Sequence, residues 1–279
     1  MRTAMLGTLL AVLAATLPAH AQLAEPNAAG VTMGHLHYTV PDVAASRAFW
    51  MALGGRPVGS VGGADVIAFP DVLVQLSRGA AEGGEGSVVN HVAFRVPSFS
   101  AVEQAGLVVA RLGGRFPGVG SVTSPEGERI ELFEDAATNL TFTPDEGPPD
   151  AVTDRHNRAL DRPIAFHHIH LYVPEGLVAE AKAWYARAFG GVPGKRSNYD
   201  AVDLPGVNFN FSAAPRPTEP TAGRTLGHIG LEVRGLEAAC AHLASMGVIC
   251  DPSGERDGVK TASLTDPWGT SIELTEGLR

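Results

Sequence analysis

The sequence predicts an α+β protein made of four β-α-β-β-β units, and three observations carry that expectation. Four short strands each begin near a histidine: GHLHYTVP (34–41), NHVAFRVP (90–97), FHHIHLYVP (166–174) and GHIGLEVR (227–234). Each is followed by an amphipathic stretch that ends at glycine, namely DVAASRAFWMALGG, FSAVEQAGLVVARLGG, GLVAEAKAWYARAFGG and GLEAACAHLASMG. Apolar residues at three- and four-residue spacing predict a helix there, and the terminal glycine its C-cap. β-rich segments with Gly, Pro and Asp turns then close the units with VLVQLS, RIELFE, VNFNFS and SIELTE.

The units alternate in type. Units one and three end on amides, Gln75 and Asn210, whereas units two and four end on carboxylates, Glu131 and Glu273. The chain therefore reads as a duplicated pair. The expected first domain is 32–135, from units 32–79 and 88–135, and the second is 165–276, from units 165–213 and 226–276. Segment 136–164 is rich in Pro, Asp and Thr and lacks an apolar period, so a linker is expected there. EGGEG (82–86) and SAAPRPTEPTAGRTLG (212–227) read as mobile connectors that could cover the mouth of a site.

Residues 1–21 are expected to be removed. MRTAMLGTLLAVLAATLPAHA has Arg2 as its one charge, an apolar stretch from Ala4 to Leu17, and the small-x-small end Ala19-His20-Ala21. The apolar stretch falls short of the ~20 residues that span a bilayer. A signal peptide is therefore expected, cleaved after Ala21, with the mature chain periplasmic or secreted.

The chain has 279 residues, 44% of them hydrophobic and 18% charged, which suits a globular protein. A net charge of -9 with no Lys/Arg cluster argues against nucleic acid or an anionic membrane surface as partner and leaves a small molecule as the default. A homodimer that exchanges units between chains stays open. Cys240 falls on the apolar face of the fourth helix and Cys250 follows Val248-Ile249, so the expectation is two buried thiols, with a helix-to-strand disulfide as the alternative.

In FHHIHLYVP alternate side chains share a face. His168, His170 and Tyr172 point one way, and His167 points outward from that side.

Four such units, with a histidine heading each first strand and with SPEGERIEL and TDPWGTSIEL closing the even units, resemble the vicinal oxygen chelate superfamily. That group includes glyoxalases, fosfomycin-resistance enzymes, bleomycin-binding proteins and extradiol dioxygenases. The resemblance implies two paired, barrel-like domains, each cupped around one metal ion. Its ligands would be His35, His91 and Glu131 in the first pair and His168, His228 and Glu273 in the second. Two imidazoles and a carboxylate form a facial triad with open positions, suited to Fe, Mn, Zn or Ni, and lack the thiolates of a closed structural zinc site.

His170 and Tyr172, on the face of His168, are candidate catalytic residues for proton handling. Glyoxalases carry an acidic residue at the end of the odd unit as well; Gln75 and Asn210 stand there, and an amide is no general base near neutral pH. His37 and Arg95 suggest an anionic substrate for the first pair, while Glu232, Asn208 and Asn210 suggest a neutral hydrogen-bonding pocket for the second. Trp268 is expected to pack its turn. The expected function is that of a metalloenzyme acting on a small substrate that chelates the ion through adjacent oxygens, as a glyoxalase-like lyase or isomerase. The alternatives are an extradiol ring-cleaving dioxygenase and a non-catalytic binding protein of the bleomycin-resistance kind.

Overall fold

The computed structural model describes residues 23–114, 116–135, 141–148 and 153–279. The expected leader 1–21 lies outside them, as do 136–140 and 149–152 of the expected linker. Unit one comprises β1 (Val31–Val40), α1 (Val43–Ala52), β2 (Arg56–Val61), β3 (Ala64–Phe69) and β4 (Val72–Arg78). Unit two comprises β5 (Val89–Val96), α2 (Phe99–Gln104), β6 (Ala110–Arg111), β7 (Val119–Thr123) and β8 (Arg129–Glu134), followed by a short strand β9 (Phe142–Pro144). Unit three comprises β10 (Ala165–Val173), α3 (Val178–Phe189), β11 (Val192–Arg196), β12 (Tyr199–Leu204) and β13 (Val207–Ala213). Unit four comprises β14 (Leu226–Val233), α4 (Leu236–Ser245), β15 (Asp251–Arg256), β16 (Val259–Thr265) and β17 (Ser271–Glu276).

Local chemistry sets the helix ends. The Asp42 carboxylate accepts from the amides of Ala44 and Ala45 at the start of α1, and Gly190 closes α3 in the left-handed conformation. Helix α2 is shorter than the apolar period suggests. It stops at Gln104 because Gly106 takes a φ of 92° and the β-branched Val108-Val109 that follow lead into β6.

The strands form two mixed sheets in an α+β fold. One runs β2-β3-β4-β1-β14-β17-β16-β15 and the other β6-β7-β8-β5-β10-β13-β12-β11-β9. In each, the first strand of a unit lies parallel to the last strand of its own unit and antiparallel to the first strand of another. The sheets therefore join unit one to unit four and unit two to unit three. This corrects the sequential pairing, 32–135 and 165–276, expected from the sequence. Strand period and turn chemistry fix how a unit folds on itself, but the antiparallel seam between two first strands is a non-local choice that they do not encode. Both seams are formed here by strands of the one chain.

The core fills the space where the helices and sheets meet. Trp50 of α1 packs against Tyr38 and Phe69 of its own unit and against Phe94 of β5, so it bridges the two sheets. On the other side Tyr185 of α3 donates to Asp266 Oδ2 at 2.8 Å, and Trp184 stands edge-on to Trp268 in the turn before β17. The described parts of segment 136–164 are tied to the second sheet. Its strand β9 extends the second sheet beside β11, and Arg155 donates to both Asp203 carboxylate oxygens at 2.6 and 2.8 Å. Cys240 and Cys250 form a disulfide, not the pair of free thiols expected. Among the described residues no helix is long and apolar enough to cross a membrane.

Candidate metal centres

The crossed pairing decides which histidines meet. In the first sheet β1 places His35 and His37 two residues apart on one face, β14 brings His228 opposite His37, and β17 lays Glu273 beside Gly230, the residue opposite His35. His35 Nε2 is 3.1 Å from His228 Nε2 and 3.2 Å from Glu273 Oε2, and His228 Nε2 is 3.6 Å from the same oxygen. In the second sheet His91 Nε2 is 3.2 Å from His168 Nε2 and 3.1 Å from Glu131 Oε2, with His168 Nε2 at 3.7 Å from that oxygen. The groupings are thus His35, His228, Glu273 and His168, His91, Glu131. Each takes members from both of the pairs expected from the sequence, a direct result of the crossed seams.

These distances fit a metal ion. Two donors each ~2.1 Å from one ion and at right angles to each other lie ~3 Å apart, which is the spacing of the converging nitrogens and carboxylate oxygens. A third imidazole stands within reach in each centre. The ring nitrogens of His35, His37 and His228 lie within 4.8 Å of one another, as do those of His91, His168 and His170, so each triad could hold a metal. His37 and His170 are steadied alike, their Nε2 atoms 2.8 and 2.9 Å from the hydroxyls of Ser77 and Ser212.

Burial favours the neutral form of five of these rings, as ligation requires. It holds His35, His91 and His168 below the ordinary imidazole range and pushes His37 down to about 3 and His170 to about 2. Burial would raise the two carboxylates, but hydrogen bonding to histidine outweighs it. His91 draws Glu131 below the usual range, and His228 and His35 draw Glu273 well below.

The two centres are supported differently. His91 Nδ1 lies 2.7 Å from Asn90 Oδ1 and 2.6 Å from an Arg129 Nη, and donating to the amide oxygen frees Nε2 for the centre. His167, expected to face outward, is buried, with its Nδ1 2.8 Å from His168 Nδ1. An irregularity in the β10 register between Phe166 and His168 sets the two neighbouring rings side by side, and His156, in the stretch 153–157, stands 5.0 Å from the His167 ring. When His168 offers Nε2 to the centre, its Nδ1 donates to His167, whose own proton then sits on Nε2, buried without a partner.

No such brace exists for His35. Its buried Nδ1 has no partner, and its ring lies over Gly230, where an added Cβ would fall 2.0 Å from Nδ1. In the second sheet Ala93 occupies the matching place opposite His168, so an alanine is compatible with the strand itself. Gly230→Ala is therefore expected to leave the fold intact while swinging His35 out of line, weakening the first centre roughly ten-fold or more. A metal titration showing two unaltered sites in that variant would refute this account of Gly230.

Two residues expected to tune the cups do other work. The Arg95 guanidinium is turned toward Asp135 and the carbonyls of Arg155 and Arg158, anchoring the segment after unit two. Glu232, at the matching place in unit four, accepts from Thr275 Oγ1 and from the amides of Gly277 and Leu278 and so anchors the C-terminal residues.

Above the centres the cups differ in size. The second opens into a cavity of about 1140 Å³, reached by His91, Glu131, His170 and Tyr172, whereas the cavity at His37, His228 and Glu273 measures about 190 Å³. Substrate pockets run to roughly 300–1,000 Å³, so the second cup is the one with room. Residues 84–87 and 215–218 form its rim. They are cross-braced: Arg224 donates to the carbonyls of Gly83 and Glu85, and Ser87 bridges to Glu219. The sequence reading missed Arg196 and Tyr199, which also line this cup; the two-residue turn between them, Ser197-Asn198, was the available signal that both sit at a hairpin tip.

Glyoxalase I from Zea mays superposes with a TM-score of 0.60 at 16% identity, covering 88% of this chain and 92% of that one. A Bacillus subtilis protein proposed to be a dioxygenase does so with a TM-score of 0.60 at 16% identity, covering 88% and 85%. The cppA protein of Streptococcus pneumoniae gives 0.50 at 12%, covering 87% and 98%. At such identities these likenesses speak for the fold alone. Among curated protein sequences none matches the chain. The model of the Glyoxalase/Bleomycin resistance protein/Dioxygenase superfamily matches residues 112–274, more than half of the chain. With the paired units and the two converging histidine sets, that match shows that the chain belongs to the glyoxalase, bleomycin-resistance and dioxygenase superfamily.

Proposed function

We propose that the protein is an exported metalloenzyme of the extradiol type, which opens a substrate held to a divalent ion through two adjacent oxygens. The observation that carries this reading is the pair of His/His/Glu sets, each with an amide where a glyoxalase would have its additional acid. Asn210 is engaged at both ends, its amide donating to Asn208 and its carbonyl accepting from Arg196, and an amide is no base near neutral pH. A lyase or isomerase that moves a substrate proton therefore lacks its base at that position. The ion, when bound, supplies Lewis-acid and oxygen-activating chemistry.

The chain's own residues supply the rest. His91, His168 and Glu131 hold one face of the site and leave the cavity side open. His170, neutral and fixed by Ser212, presents its Nε2 next to the His91 ring, where it can exchange a hydrogen bond or a proton with a substrate hydroxyl. Tyr172, edge-on to His170, adds a phenolic hydroxyl to the cavity wall. Export is part of the proposal, supported by the leader-like residues 1–21 and by a disulfide of the kind an oxidising compartment maintains.

The test is elemental analysis of protein purified anaerobically without chelators, followed by oxygen uptake with catechol, for the wild type and for His168→Ala and His35→Ala. Iron or manganese, and oxygen uptake lost in the His168 variant, are expected. Zinc or nickel with no oxygen uptake would turn the reading toward glyoxalase-like proton transfer. No metal after reconstitution would sink both and favour a binding protein of the bleomycin-resistance kind.

A further inference from the structure

The second cup contains a buried arginine that no carboxylate among the described residues meets in an ion pair. Arg196 is 3% exposed, lines the cavity, and has no ion-pair partner among the described residues. Burial pushes it down to about 10, which still leaves it charged at neutral pH. Its nearest carboxylate influence is Glu131, which faces the metal centre, and its charge is close enough to depress His91, His168 and His170. An unpaired buried cation is costly to keep unless something anionic joins it.

Arg196 is also held in place with care. Its Nε donates to Asn210 Oδ1, Asn210 donates to Asn208 Oδ1, and Asn208 donates to Asp203, which Arg155 and His156 hold from the segment after β9. The guanidinium carbon stands 5.6 Å from the centre of the Phe133 ring and 5.3 Å from that of Tyr199. The chain thus commits a continuous buried polar network to one guanidinium.

The first sheet shows that the fold does not need this network. The matching hairpin pairs Val61 with Ala64 where the second sheet pairs Arg196 with Tyr199. Deeper in, it pairs Ala68 with Leu73 where the second pairs Asp203 with Asn208. Leu73 and Ala68 pack there in a small apolar cluster with Val66 and Leu23. The same backbone is therefore stable with an apolar filling, and the polar version belongs to the larger cup alone.

We propose that Arg196 is the anion receptor of the second cup, and that the ligand there is a planar aromatic chelator carrying a carboxylate. The aromatic part follows from Phe116, Phe133, Tyr172 and Tyr199 on the cavity wall, and the carboxylate from the guanidinium of Arg196 that lines the same cavity. This inference rests on the metal-chelating reading above and reverses the expectation of a neutral ligand for the histidine-rich strand.

The experiment is calorimetric binding of two probes, 3,4-dihydroxybenzoate and catechol, to the full chain loaded with zinc, a redox-silent ion. Wild-type protein is expected to bind the acid roughly ten- to hundred-fold more tightly than catechol. Arg196→Gln should bring the two affinities together by weakening the acid alone, and Arg196→Lys should retain part of the preference. Equal affinities in the wild type, or an undiminished preference in Arg196→Gln, would overturn the proposal while leaving the chelating centre standing. Equal weakening of both probes in the two variants, with circular dichroism unchanged, would assign Arg196 to bracing the hairpin and overturn it too. Failure of the wild type to bind either probe would remove the chelating reading and this inference with it. Should Arg196→Gln not fold, the comparison of Arg196→Lys with wild type decides.

Discussion

Acidifying the metal-free protein is expected to unfold it between about pH 6 and 4, well before most carboxylates titrate. The cause is the set of imidazoles that burial keeps neutral. His35, His156, His167 and His168 are each at most 5% exposed, and burial lowers all four, His156 to about 4. A lowered folded-state pKa means that below about pH 6.5 the unfolded chain takes up protons the folded one refuses, so stability falls as pH falls. Each histidine that stays neutral contributes a slope of about 1.4 kcal/mol per pH unit. Their slopes add, so the loss of stability steepens as pH falls below about 6.5. Glu131 and Glu273, drawn down by their histidines, stabilise above the ordinary carboxylate range and lose that contribution as pH falls through their depressed values, which adds to the loss at the acid end.

Fluorescence of the buried Trp50 and Trp184, followed against pH, measures the midpoint directly. A native spectrum at pH 4 without metal would contradict the picture of uncharged buried rings. Saturating divalent metal should move the midpoint to lower pH, because the ion binds only the folded, deprotonated set.

The second large effect concerns metal stoichiometry. Glu131→Gln removes the carboxylate that both His91 and His168 approach, at 3.1 and 3.7 Å, and is expected to weaken the second centre by more than the roughly 10–100-fold typical of outer-sphere changes. The first centre, whose carboxylate is Glu273 on the other sheet, should be unaffected. His35→Ala is its mirror image. Under the sequential pairing, Glu131→Gln and His35→Ala would damage the same site; under the crossed pairing they damage different ones. A double variant that still binds one full equivalent would therefore overturn the observed arrangement.

Much of this was legible in the sequence because units repeat. Four strands headed by His35, His91, His168 and His228, and carboxylates only at Glu131 and Glu273, pick out the converging residues without any structure. Which of them converge was not legible. The face of a strand follows from alternation, but its neighbour follows from long-range packing, and β1 has equally plausible partners in β5 and β14 until the tertiary structure chooses. The same limit explains His167 and Arg95. Arg95 was read into a cup and His167 out toward water, whereas residues 155–158 fold back against both. Arg196 escaped notice because a single arginine in a turn carries no period; its meaning emerges only beside Val61, the residue at the same hairpin position in the first sheet.

The seams are nested like brackets, and this orders the birth of the two cups. The contact between His91 and His168 spans 77 residues, and that between His35 and His228 spans 193. The extra loop costs under about 1 kcal/mol at equilibrium, so the difference falls on timing. As the chain emerges from its N-terminus, the inner sheet can close once unit three is out, while β1 waits with an open edge until the final unit arrives. During that interval β1 is the exposed strand most able to pair wrongly with another chain. The roomy inner cup is complete early, and the small outer cup is the last part of the molecule to exist.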